Sequence, residues 1–133
     1  MYSREHALLS LVVAVGAVAW LPLDPLLAVP WALAVGVGVD FDHFLLARLV
    51  DGDWRAVRRA LARPSRVLFD QSALFADSAS FPEARLLSHV LLGGVGFTAL
   101  WPVAPALAAL TGATLYVHVL ADLVWDVYER RRG

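Results

Sequence analysis

The stretch AWLPLDPLLA (19–28) lies in the middle of an apolar block, Ala7 to Val39, whose one charged residue is Asp24. A helix that crosses a bilayer needs about 20 residues, and this block is too long for one such span and about right for two short ones. Two prolines three positions apart stop one helix and start the next, because the ring disrupts a helix interior but suits a first turn. The stretch therefore reads as the tip of a helical hairpin. A second tip, ALWPVAPALA (99–108), again sets a Trp beside Pro-x-x-Pro, within a block from Leu86 to Ala121 that carries no charge. The two turns look like an internal repeat, although the match fades outside them.

Composition agrees with this reading. Of 133 residues 59% are apolar and 17% charged, with a mean hydropathy of +0.65, well above the make-up of soluble domains. Backbone groups inside lipid find no water, so the spans should be helices rather than an open sheet. The sequence predicts an all-α, integral membrane four-helix bundle made of two helical hairpins, a single domain over 1–133 with spans near 5–21, 26–43, 82–100 and 106–128. Small-residue runs such as AVGVGV and LLGGVGF permit close helix approach in such a bundle. The first segment reads as structure rather than a cleaved leader, because the Arg of MYSREH is balanced by Glu5 and the apolar run ends in LPLDP.

All eleven basic residues are Arg: one precedes the first span, six lie between the second and third, Arg85 sits in the first turn of the third, and three end the chain. The hairpin tips have none, so the positive-inside rule places both termini and the central loop, 44–81, on the cytoplasmic side of the cell membrane. Within that loop DWRAVRRALAR (53–63) predicts an amphipathic helix with Asp53 as N-cap, Pro64 as stop, and Trp54, Val57 and Leu61 on one face. It either lies on anionic lipid headgroups or covers the bundle end. SFPE (80–83) reads as a capping box opening the third span. The net charge of −1 points away from nucleic acid. Membrane lipids and a small-molecule or lipid substrate are the expected partners.

Up-and-down threading puts the four histidines, His6, His43, His89 and His118, in one leaflet, together with Asp40, Asp42 and Asp122. Asp122 follows His118 by four positions and Asp40 precedes His43 by three, so each pair shares a helical face. Ionisable residues within spans usually face the bundle interior and mark sites, and helix bundles assemble metal sites from such side chains on facing helices. With cysteine absent, nitrogen and oxygen must hold any ion, which suits Zn²⁺, with Mn²⁺ or Fe²⁺ also in keeping. Seven candidate ligands allow one ion or two. Asp42 points off the shared face if the helix continues, and reads as a partner orienting an imidazole or as a helix-end carboxylate. Arg85 reads as a phosphate binder or a side chain snorkelling to the interface. Ser88 reads as bonding back to its own helix, and Asp126 and Glu129 as surface partners of the terminal Arg run.

His6, GVDFDH (38–43), RLLSH (85–89) and YVHVLAD (116–122) resemble, in order and spacing, the motifs of the membrane-bound metal-dependent hydrolase family typified by LexA-regulated, YdjM-like proteins. The resemblance implies a metal cluster of His6, Asp40, Asp42, His43, His89, His118 and Asp122 with Arg85 beside it. The chain departs from the family pattern in the third motif, where Ala84 stands at the position of the first His, Leu86 at a Gly and Val90 at a Ser, and Val39 stands at a Pro. The expected activity is hydrolysis of an ester or phosphoester at the cytoplasmic face, with Asp40 or Asp122 as ligand or general base and Arg85 steadying an anion. A haem-binding module and a metal or proton carrier are the competing expectations.

Overall fold

The computed structural model describes residues 3–63 and 82–132, and all regular structure among them is helical. The elements are α1 (Ser3–Val18), α2 (Pro25–Gly38), a 3₁₀ turn (Val39–Phe41), α3 (Asp42–Asp51), α4 (Arg55–Ala62), α5 (Pro82–Leu100) and α6 (Pro105–Arg130). Both hairpin tips work as the prolines require. Pro25 and Pro105 each occupy the first turn of the following helix, and Asp24 Oδ1 accepts from the Leu26 amide at 2.8 Å to close the start of α2. α1 packs on α2 and α5 on α6, and α6 also packs on both α1 and α2.

The second helix overruns its expected end. Residues 44–51, assigned from sequence to the central loop, are helical as α3, and the 3₁₀ turn joins α3 to α2 with little break. Nothing in HFLLARLVD stops a helix until Gly52, which takes φ +78° and returns its amide to Arg48 O. That left-handed C-cap is where glycine has no Cβ penalty. α4 begins at Arg55 rather than directly after Asp53. Trp54 is the capping position, and Asp53 acts one residue further out, its Oδ1 accepting from the Arg55 amide and its Oδ2 facing Arg55 Nε at 2.5 Å. The Arg48 guanidinium lies over the Trp54 ring at 5.6 Å. Ala56 is the buried residue of α4, while Leu61 and Trp54 of its apolar face are exposed. The SFPE capping box begins outside the described residues.

Two stretches, Pro25–Leu49 and Pro105–Arg130, are long and apolar enough to cross a membrane. Ala84–Leu100 is apolar but shorter, and α1 has 16 residues against the expected span 5–21. Large apolar side chains lie on the outside while the ionisable ones of one end lie inside. Leu8, Val12, Leu26, Leu91, Val95 and Tyr116 are exposed, whereas His6, Asp40, His89, His118 and Asp122 are at most 3% exposed.

The interior itself divides along its length. Near the tips Ala14, Ala28, Ala32 and Leu110 form an apolar core. One face of α6 then passes from Leu110 through Thr111 and Thr114 to His118 and Asp122, a run of about 18 Å at 1.5 Å per residue. Close approach at the middle depends on Gly36, where an added Cβ would collide with Ser10 Oγ and stand 3.1 Å from Thr114 Cγ2. Nearby, Trp31 Nε1 donates to Thr111 Oγ1 at 2.9 Å.

Candidate metal centre

Four helices deliver side chains to the polar end: His6 from α1, Asp40, Asp42 and His43 from the 3₁₀ turn and the start of α3, His89 from α5, and His118 and Asp122 from α6. The 3₁₀ turn is what fits three neighbouring residues into one site. His43 follows Asp40 by three positions, with Nε2 3.9 Å from Asp40 Oδ1 and 3.8 Å from Asp42 Oδ1, while Asp42 Oδ2 is turned toward α5.

Two of the imidazoles have their tautomers set by acceptors outside the cluster's centre. His118 Nδ1 lies 2.8 Å from Gly36 O. A carbonyl only accepts, so Nδ1 carries a proton and donates it. His89 Nδ1 likewise donates to Asp42 Oδ2 at 2.8 Å. Both Nε2 atoms then turn inward, and neither has a hydrogen-bond partner among the described residues. His118 Nε2 is 3.4 Å from Asp40 Oδ1 and 3.5 Å from Asp122 Oδ2. His89 Nε2 is 3.6 Å and 4.0 Å from the same two oxygens.

Two imidazole nitrogens and two carboxylate oxygens thus face one point. Buried carboxylates gathered in this way need positive charge beside them, from a cation or from protonated imidazole. The spacing suits an ion, since ligand atoms about 2.0–2.1 Å from Zn²⁺ in a tetrahedron lie roughly 3.3 Å from one another. Two groups of ligand atoms lie within 4.8 Å of one another: His6, Asp40, His118 and Asp122 form one, and Asp40, His43 and His89 the other. Asp40 belongs to both, the position a carboxylate would hold between two ions. His6 completes the first group with Nε2 3.2 Å from Asp122 Oδ1. Its ring stacks on His118 with centroids 3.7 Å apart and planes 12° from parallel.

Of the seven residues expected as ligands, six fall in these two groups and the seventh, Asp42, does not. Asp42 instead holds the His89 ring, and Ser88 Oγ donates to the same Asp42 oxygen. This matches the orienting role named for it as one of two readings. Ser88 also bonds back to Arg85 O at 2.8 Å, as expected. Arg85 sits at the rim, with Nη2 2.7 Å from Asp126 Oδ2 and 3.9 Å from Asp122 Oδ2. Asp126 is therefore not merely a surface partner of the terminal arginines. Its place one turn after Asp122 on α6 was a usable signal. The carbonyl of Gly36 was invisible in sequence, because a backbone acceptor has no residue type to mark it.

No protein family, no curated protein and no solved structure matches the chain. The site is accordingly read from its own chemistry.

Proposed function

We propose that the protein is a four-helix, multi-pass membrane protein that holds one or two divalent cations, Zn²⁺ first among the candidates, and hydrolyses an ester or phosphoester at the cytoplasmic face. The observation that carries this reading is the convergence of the buried His89 Nε2, His118 Nε2, Asp40 Oδ1 and Asp122 Oδ2 from three parts of the fold. A bound divalent ion would supply Lewis acidity and bring the pKa of a coordinated water to about 7.

The chain's own contribution is positional. Gly36 O and Asp42 hold the His118 and His89 rings in the tautomer that exposes Nε2, and Asp40 serves both halves of the cluster. Asp126 holds Arg85 at the rim, where its guanidinium is suited to an anionic group of a substrate. Large apolar side chains on the outside, two helices of spanning length and the Arg-free hairpin tips support a membrane setting with both termini cytoplasmic. The order of the motifs is in keeping with the hydrolase family that the sequence resembles.

Two competing readings are less well supported. A haem needs an open apolar slot between its axial ligands, whereas the His6 and His118 rings stack at 3.7 Å and the facing Nε2 atoms are hemmed by carboxylates. A transport path would have to pass the apolar core of Ala14, Ala28, Ala32 and Leu110. The test is cleavage of generic phosphodiesters and carboxylic esters by detergent-purified protein. Turnover abolished by a chelator and restored by Zn²⁺ or Mn²⁺ is expected; turnover indifferent to chelation would overturn the reading.

A further inference from the structure

A groove of about 320 Å³ runs along the α5–α6 hairpin, within the roughly 300–1,000 Å³ of small-molecule pockets. It exists because side chains are missing. An added Cβ on Gly94 would meet nothing within 4 Å, so the space beside it is open. Gly93 and Gly112 act differently: Leu115 Cδ1 and Phe97 Cδ2 stand 3.1 Å from where their Cβ atoms would be, which lets the two helices close behind the groove. From His89 to Thr98 the α5 wall extends about 13 Å at 1.5 Å per residue.

The lining is apolar along this length and ends at His89. That ring is fully buried, and its inward Nε2 has no hydrogen-bond partner among the described residues. One imidazole is thus both the end wall of the groove and a member of the metal group with Asp40 and His43. An occupant should therefore be apolar along its body, with one end stopped by the His89 ring next to the polar cluster.

We infer that the groove holds one acyl chain of a membrane lipid, and that the substrate class is an acyl-bearing lipid whose headgroup bond lies just beyond His89, toward Arg85. This rests on the metal-dependent hydrolase reading. In a bilayer an acyl chain is already out of water, so burial in the groove adds little hydrophobic gain. The groove selects by shape, and His89 sets how far the chain can slide.

Native mass spectrometry of the full chain in detergent, titrated with dioleoyl phosphatidylglycerol, reads lipid, metal and oligomeric state together. The wild type should retain one lipid. Gly94→Leu fills open space, and it should lower the lipid-bound fraction at least ten-fold while leaving the metal content unchanged. Thr98→Trp, in the same groove, should do likewise. His118→Ala should lose metal and keep the lipid. Undiminished lipid binding in both groove variants would overturn the assignment. A wild-type dimer that Gly94→Leu converts to monomer would overturn it in favour of a second copy. Lipid binding that depends on Gly94 in a wild type devoid of metal would defeat the hydrolase reading and with it the substrate assignment, leaving only a lipid groove.

Discussion

Near the hairpin tips, Ala14, Ala28, Ala32 and Leu110 fill the interior by shape alone; at the other end His6, Asp40, His89, His118 and Asp122 fill it with groups that each depend on the rest. In the membrane setting proposed above, lipid tails are as apolar as leucine, so burial would give the tips little hydrophobic drive. Small residues and dispersion contacts bring those helices together. At the polar end, a carboxylate left without its partners would cost several kcal/mol. The first region should tolerate change in proportion to volume, and the second should fail as a unit.

The largest effect should follow removal of a ligand. His118→Ala takes away one nitrogen and leaves Asp40 and Asp122 to repel each other, so metal should fall to background and thermal stability should drop by about 3–5 kcal/mol. Equilibrium dialysis and a detergent melt would read both. If the melt is unchanged, the polar end does not behave as a unit and the contrast collapses.

Asp42→Ala comes next. The side chain orients His89 without belonging to either ligand group, so metal affinity should weaken by about 10–100-fold rather than vanish. Titration with a competing chelator measures it. An effect as large as that of His118→Ala would make Asp42 a ligand.

A change at the tips should do the reverse. Ala28→Leu overpacks the apolar core and should cost about 1–3 kcal/mol with metal content untouched. Loss of metal there would show that the two regions are coupled, and Gly36, which touches Ser10 and Thr114 and accepts from His118, is the place to look.

The smallest effect belongs to α4, outside both regions. Asp53 is held below its ordinary carboxyl value by the Arg55 amide hydrogen bond and then by the Arg55 side chain. A lowered value means the ionised form is favoured in the folded helix. Its contribution is present above the unfolded value of 3.8 and is lost as pH falls through the folded one. Asp53→Ala should fray the first turn of α4 by hydrogen exchange and leave metal binding alone.

The same contrast explains what could be read in advance. Paired prolines and charge-free runs marked the hairpins, because two prolines three apart both end one helix and start the next, whereas the lone Pro30 is carried inside α2. The convergence of His and Asp was legible from threading and from the i, i+4 pair His118 and Asp122. The 3₁₀ turn at Val39–Phe41 was not, since no residue there breaks a helix, and it decides where Asp42 points. The end of the second helix was set too early because Arg48 and Asp51 were read as loop, although Gly52 marked the true stop.

Elemental analysis of detergent-purified wild type beside His118→Ala and Asp122→Ala tests the centre most directly. The wild type should carry stoichiometric divalent metal, and both variants should lose it. Full metal retained in both, or none in the wild type, would contradict it.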